Sequence, residues 1–257
     1  MSDGVRNKVI LITGGCGDIG RAVIKKLADH DATVIINDLL DESEAKNRLA
    51  YLNLPKERSL YIQADVTDRA QVDRMIEGIY RQHHRLDVAC SNAGMVEGIP
   101  FLEYTEQKWN RILAINLTGC FHVGQAAAKA MIARNHPGQV IFTTSWVADV
   151  PWPEITPYCV SKSGLKMLMK SMARELTSKG VRVNAVSPGI VNAGMARHQY
   201  DTDPSYRARA DKVIPMGFMQ PLESVAEAFL YLCSDAASYM TGSTLLVDGG
   251  CSLFQFD

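Results

Sequence analysis

Several things are missing from these 257 residues, and each absence closes off a class of function. The charges nearly cancel, to a formal −1, so no excess of one sign is available to hold a nucleic acid or an anionic membrane. No apolar run approaches the ~18 residues of a membrane span, and residues 1–7 lack the charged-then-apolar layout of a secretory signal. The six cysteines (Cys16, Cys90, Cys120, Cys159, Cys233 and Cys251) include no Cys-x-x-Cys pair. That excludes the usual spacing of a zinc site and fits reduced thiols in a cytoplasmic protein. No repeat, low-complexity tract or linker divides the chain, so residues 1–257 are read as one domain.

What is present begins with Val9–Thr13, an unbroken apolar and β-branched run of the kind buried on both faces of a parallel sheet. A glycine-dense turn follows, and then Ile19, Val23 and Leu27 recur at helical spacing. A strand, a glycine turn and a helix start together present unpaired backbone N–H groups and a positive helix end to a phosphate. A β-carbon in that turn would hold a pyrophosphate away from the backbone. The next apolar run, 33–37, closes on Asp38. An acid about 20 residues past the glycines, at the end of the second strand, is placed to bind the hydroxyls of an adenosine ribose.

Strands and helices then alternate. Further strands are expected at 59–64, 86–91, 139–144, 181–186 and 243–247. Helices are expected at 68–83, capped by Thr67 or Asp68, and at 106–131, 157–176 and 225–233. Such alternation implies parallel strands with right-handed crossovers. An eight-fold β/α barrel has the same length and alternation. The glycine turn and Asp38 belong instead to an α/β doubly wound, Rossmann-like parallel sheet of about seven strands, with helices on both faces.

Tyr158 and Lys162 lie four apart in the helix expected at 157–176, which puts them on one face with β-carbons roughly 6 Å apart. An ammonium fixed beside a phenol favours its ionised form, and a phenol so tuned can take a proton from an alcohol or return it to a carbonyl. Ser145 closes the fifth strand, and ligands of such sheets collect at the carboxyl ends of the strands.

With these residues in order, the sequence resembles the short-chain dehydrogenase/reductase family over essentially its whole length. The matching segments are 13–20, Asp65-Val66, Asn92-Ala93-Gly94, Asn116 with its neighbours Ile115 to Gly119, Ser145, Tyr158 with Lys162, and Pro188-Gly189. The resemblance implies metal-free hydride exchange between a nicotinamide and a carbinol carbon, and the lack of zinc-ligand spacing agrees. It implies Tyr158 as general acid/base, Ser145 holding the substrate oxygen, Lys162 binding the nicotinamide ribose, and Asn116 anchoring a water that relays protons to solvent. It further implies a cofactor site of Gly14, Gly17, Asp18, Ile19 and Asp38. Asp65 and Val66 would flank the adenine, Asn92, Ala93 and Gly94 the ribose side, and Pro188, Gly189 and Val191 the nicotinamide. For Asn92 the competing role is tying strands together, and for Gly94 service to the turn alone.

Two positions depart from the family pattern. Asp18 stands where a glycine is usual; its carboxylate lies near a dianionic pyrophosphate and is expected to turn outward as a helix cap. Ala193 stands where a threonine often binds the carboxamide, which leaves Asn192 to substitute or the nicotinamide less firmly held. NAD is the expected cofactor. An acid at position 38 accepts both ribose hydroxyls and repels a 2′-phosphate, and neither Lys nor Arg occurs at 15–17 or 37–40.

Substrate recognition is expected from 146–156 and from a polar, weakly patterned stretch at 190–215, read as a mobile lid. Glu97, Trp146, Trp152, Glu154, Asn192, Met195 and His198 are the pocket candidates; shaping or solvating the lid is their alternative role. Arg197, Arg207 and Arg209 read as a solvated helix face rather than an anion site. Segments 214–218 and 237–242 resemble the sugar and polyol dehydrogenases of the family, whose hydroxyl-rich rings suit tryptophan faces and carboxylate acceptors. Hydrophobic cyclic alcohols and hydroxyacyl thioesters are the competing substrates. A non-catalytic NAD(H)-binding regulator is the competing class, disfavoured because a sensor has no use for an activated tyrosine. The resemblance also implies a homotetramer built through the two long helices and the C-terminal strand. The small residues 126–130 and the apolar tail Leu253-Phe254-Gln255-Phe256 are candidate contacts, or alternatively parts of the monomer core.

Overall fold

Val9–Thr13 forms a strand, β1, in which every side chain is buried, as its unbroken apolar run requires. It lies inside a sheet that is parallel throughout. The computed structural model describes residues 2–253. Among them the other strands are β2 (Thr33–Asp38), β3 (Ser59–Gln63), β4 (Val88–Ser91), β5 (Gly138–Thr143), β6 (Val181–Pro188) and β7 (Thr244–Val247). Their order is β3-β2-β1-β4-β5-β6-β7, with Leu11 of β1 in register with Ile35 on one side and Ala89 on the other. The chain therefore winds outward from β1 through β2 and β3, then crosses back to β4 and winds the other way. That reversal between β1 and β4 opens a crevice at the carboxyl ends of the strands, where such sheets bind ligands.

Alternate residues of each strand face opposite sides. One side, with Leu11, Ile35, Ala89, Val140 and Phe142, packs against α3 (Arg69–His83), α5 (Cys120–Ala133) and α6 (Thr156–Leu176). The other, with Ile10, Ile12, Val34, Cys90 and Ile141, packs against α1 (Asp18–Ala28) and α9 (Leu222–Cys233). The small residues of α5 serve this core: Ala126, Ala127, Ala128 and Ala130 are buried, and a β-carbon on Gly124 would come within 2.8 Å of the Phe142 ring. They are thus core residues of the monomer, whereas Phe254, Gln255 and Phe256 lie outside the described residues.

Two stretches differ from expectation. The helix expected over 106–131 is divided into α4 (Glu106–Leu113) and α5 by a π-helical turn, Ala114–Gly119. The wider turn rotates Asn116 inward, and its buried amide docks on the Met95 backbone, accepting from N–H at 2.8 Å and donating to C=O at 2.7 Å. The stretch at 190–215 is not patternless either. It carries α7 (Gly194–Thr202) and α8 (Pro204–Val213), the second nucleated by Asp203, whose carboxylate accepts from Ser205 N–H, with a proline at the first helical position. The remaining helix, α2 (Glu42–Leu49), sits on the surface between β2 and β3.

Candidate functional site

The cleft begins at the turn after β1. Gly14 has φ +63°, and a β-carbon there would lie 2.8 Å from the Ala93 Cα; one on Gly20 would lie 2.3 Å from the Gly14 carbonyl oxygen. Only glycine allows this close stacking of turn, first helical turn and the loop after β4. Gly17 is the N-cap of α1 and no side chain caps the helix, so its leading N–H groups stay unpaired along the wall of an 840 Å³ cleft. Asp18 does not serve as the cap. It occupies the first helical position, is ion-paired with Arg21, and directs Oδ2 toward the Cα of Gly194 on α7, so its carboxylate lines the cleft rather than turning away from it. The i,i+3 partner holds it there.

At the adenosine end predicted from the sequence, both oxygens of Asp38 are engaged, Oδ2 accepting from Cys16 N–H at 3.0 Å and Oδ1 from Leu39 N–H at 2.9 Å. The Cys16 thiol is pushed up to about 11, chiefly by burial and further by Asp38. Asp65 accepts from the N–H and hydroxyl of Thr67, both at 2.8 Å, and Val66 beside it is buried; both line the cleft.

Asn92 joins three strands. Its amide donates to the Thr13 carbonyl at 3.0 Å and accepts the Thr143 hydroxyl at 3.0 Å, so β1, β4 and β5 are fastened at their carboxyl ends. Ala93 N–H donates to the Thr13 hydroxyl at 3.1 Å. The Cα of Gly94 faces both Asn116 and Lys162: an added β-carbon would lie 3.2 Å from Asn116 Oδ1 and 3.6 Å from Lys162 Nζ. Lys162 is buried and donates to the Thr143 carbonyl at 2.8 Å, with Nζ 5.3 Å from the Tyr158 ring centre. Both side chains line the cleft, on one face of α6 as the four-residue spacing predicts. The Tyr158 hydroxyl and the other two Lys162 N–H groups have no protein partner among the described residues.

Other expected residues stand off the cleft wall. Ser145 is buried and caps the short 3-10 helix Trp146–Ala148, its hydroxyl oxygen accepting from Val147 N–H at 3.4 Å. Pro188 ends β6, and Gly189 N–H donates to Gln220 Oε1 at 2.7 Å while its Cα presses against the Asp248 backbone. Val191, next along, does line the cleft.

The substrate candidates are engaged elsewhere. Trp146 is buried, edge to face with Trp152 at 5.3 Å, and Trp152 in turn meets Tyr206 of α8 at 6.1 Å. This aromatic chain belongs to an apolar cluster that Tyr158 itself packs against, and its burial pushes the Tyr206 hydroxyl up to about 12. Glu97 pairs with Lys108 at 2.7 Å, Glu154 with Arg209 at 3.5 Å, and Asn192 accepts from Arg197 at 3.1 Å. Arg207 donates to the Tyr200 carbonyl at 2.8 Å. His198 is exposed and Met195 half-buried, neither on the cleft wall. The cleft wall does include apolar Met95, Val96, Val191 and Ala193. Arg48 of α2 and Arg111 of α4 also line the cleft and were not foreseen, since no local pattern tells where an amphipathic surface helix brings its arginines.

A family profile described as "Enoyl-(Acyl carrier protein) reductase" matches residues 16–252. The 3beta-hydroxysteroid dehydrogenase 1 of Eggerthella lenta is 33% identical over 259 residues, spanning 100% of this chain and 99% of its own. The (+)-borneol dehydrogenase 1 of Salvia officinalis is 36% identical over 259 residues, spanning 98% and 96%. The crystal structure of a putative gluconate dehydrogenase from Agrobacterium tumefaciens superposes with TM-score 0.90 at 26% identity, over 99% of this chain and 100% of that one.

Proposed function

The chain belongs to the short-chain dehydrogenase/reductase family and is an oxidoreductase of CH–OH groups, and from that premise we propose that it uses NAD to interconvert an apolar alicyclic secondary alcohol and its ketone. The observation that carries the reading is one cleft with Tyr158 and Lys162 on its wall, the uncapped start of α1 between, and a pinned Asp38 at the far end. The residues fit a dinucleotide. Unpaired N–H groups at a helix start suit a pyrophosphate, and the lone pairs left on Asp38 can accept the two hydroxyls of an unphosphorylated ribose. NAD, when bound, supplies the hydride acceptor.

The protein's own groups handle the proton and the alignment. Tyr158 takes the alcohol proton during oxidation and returns it during reduction, acting as general acid/base. Lys162, held by Thr143, keeps two N–H groups for the nicotinamide ribose and puts a positive charge beside the charge that develops on the Tyr158 oxygen. Ser145 lies behind the cleft wall with its oxygen used as an acceptor, so its O–H is the group left to donate to a substrate oxygen that reaches it. Asn116 fixes the loop after β4 and keeps one Oδ1 lone pair for a relay water. Ala193 leaves the carboxamide without a hydroxyl donor, and Asp18 adds negative charge near the pyrophosphate.

The apolar substrate class is supported by Met95 and Val96 on the cleft wall, and by the partners that already occupy Glu97, Glu154 and Asn192, the acids and amide a sugar would need. The names of the steroid and borneol dehydrogenases agree. A sugar or polyol is the second reading, favoured by the likeness to the putative gluconate dehydrogenase. Following NADH absorbance over a panel of steroids, terpene alcohols, acyl thioesters, sugars and polyols separates them: turnover confined to sugars and polyols overturns the apolar assignment. We also read the protein as a cytoplasmic homotetramer, supported by six free thiols and by Phe121, Val160 and Met167 exposed along α5 and α6. Light scattering that gives a monomer mass would refute that assembly.

A further inference from the structure

One cation on the adenosine end of the cleft plays no part in the reading so far. Arg48, in the last turn of α2, shares the cleft wall with Cys16, Asp38 and Leu39. The helix starts close to that corner because Asp41, three residues past the end of β2, caps it by accepting from Glu44 N–H at 2.8 Å. Arg48 itself donates one hydrogen bond, from Nη2 to Glu44 Oε1 at 3.2 Å, and both side chains are about half exposed. An exposed i,i+4 pair of this kind is weak, and a guanidinium has five N–H donors. Most of the donor capacity of Arg48 is therefore uncommitted.

Asp38 offers the opposite. Its two oxygens are tied to the Cys16 and Leu39 N–H groups, so the carboxylate is held at the corner rather than free to swing aside from an incoming anion. The Cys16 thiol senses both charges, Asp38 raising and Arg48 lowering its proton affinity, as two groups near one point must. On the reading that Asp38 binds the adenosine ribose, the 2′ position is delivered to this corner, and a phosphate there meets a fixed negative and a half-exposed positive charge together.

We propose that Arg48 is a specificity-determining residue for the cofactor: its guanidinium offsets Asp38 toward a ribose 2′-phosphate, and Glu44, by holding Arg48, limits how far that tolerance goes. The selectivity between NAD and NADP then follows from three side chains, two of them on a helix outside the glycine turn and the second strand.

The test is calorimetric titration with AMP and with adenosine 2′,5′-bisphosphate, which differ at the 2′ position and need no turnover. Arg48→Gln is expected to weaken the bisphosphate about ten-fold, as loss of a charge-assisted phosphate contact does, and AMP less than two-fold. Glu44→Gln is expected to strengthen the bisphosphate two- to five-fold and to leave AMP unchanged. Arg48→Lys should fall between wild type and Arg48→Gln, because lysine meets a phosphate as a point charge and not as a fork; it also answers the question if Arg48→Gln melts early. Equal weakening of both ligands, or no change in either, overturns the proposal. Failure of the Asp38 reading looks different: Asp38→Ser would then leave the ratio of the two affinities where it was.

Discussion

Tyr158 and Lys162 sit one helical turn apart, and the phenol can be removed with the ammonium left in place. Tyr158→Phe keeps the ring that packs on the Trp152 cluster and removes only the hydroxyl, so NADH binding, read by fluorescence, should persist while turnover falls by ~10²–10⁴-fold. Retained turnover would remove Tyr158 as the acid/base. Asp38→Ser with Leu39→Arg should weaken NAD and admit NADP, measured as the ratio of the two kcat/KM values. Cys16 is buried and its thiol is raised to about 11, so at pH 8 only about one molecule in a thousand carries the thiolate. Iodoacetamide at that pH should therefore leave Cys16 unlabelled in the folded protein, as mass spectrometry would show. At this scale the sequence was readable where a position depends on spacing, as for Tyr158 and Lys162 on one face of α6. It was unreadable where a side chain's partner is distant in sequence. Glu97, Glu154 and Asn192 look like free acceptors until Lys108, Arg209 and Arg197 are brought beside them. Asp18 looks like a cap until the backbone makes Gly17 the cap and Arg21 the carboxylate's partner.

Among elements, the join between the first turn of α1 and the glycine turn has the least room. Gly20→Ala forces a β-carbon to within 2.3 Å of a backbone oxygen, so something must shift, at about 1–3 kcal/mol. Because the shift moves the N–H groups proposed to hold the pyrophosphate, NADH affinity should fall as well, and titration with unaltered NADH affinity would argue that those groups do not bind it. The π-turn makes a second case. Asn116→Ala removes both links to the Met95 backbone, a loss of ~1–3 kcal/mol that would lower the melting temperature by several degrees. A continuous helix over this region was legible from its apolar spacing, but the extra residue in one turn was not, since only the docked amide selects the wider hydrogen-bond ring. Helices α7 and α8 were hidden for another reason. Their exposed faces are polar and their apolar residues join a cluster assembled from four other segments, leaving Asp203-Pro204 as the one local signal.

For the molecule as a whole, the doubly wound parallel class was legible because the glycine turn and Asp38 identify the first two units, while the order of the strands came from the structure. That order also bears on how the chain comes off the ribosome. β1 is the first strand made, but the neighbour on its other side, β4, follows only after residues 14–87 have been synthesised. At about 5–20 residues per second, the flank of β1 that will meet β4 waits roughly 4–15 s with its backbone unpaired. β2 and β3 meanwhile can join the opposite flank, so the nascent intermediate is a small, apolar, three-stranded sheet with an open edge, the kind that recruits other chains. A fragment ending at residue 87 should accordingly aggregate or stay bound to a holding chaperone, whereas the full chain, in which β4 pairs that flank and β5 to β7 continue the sheet, should be recovered in greater soluble yield.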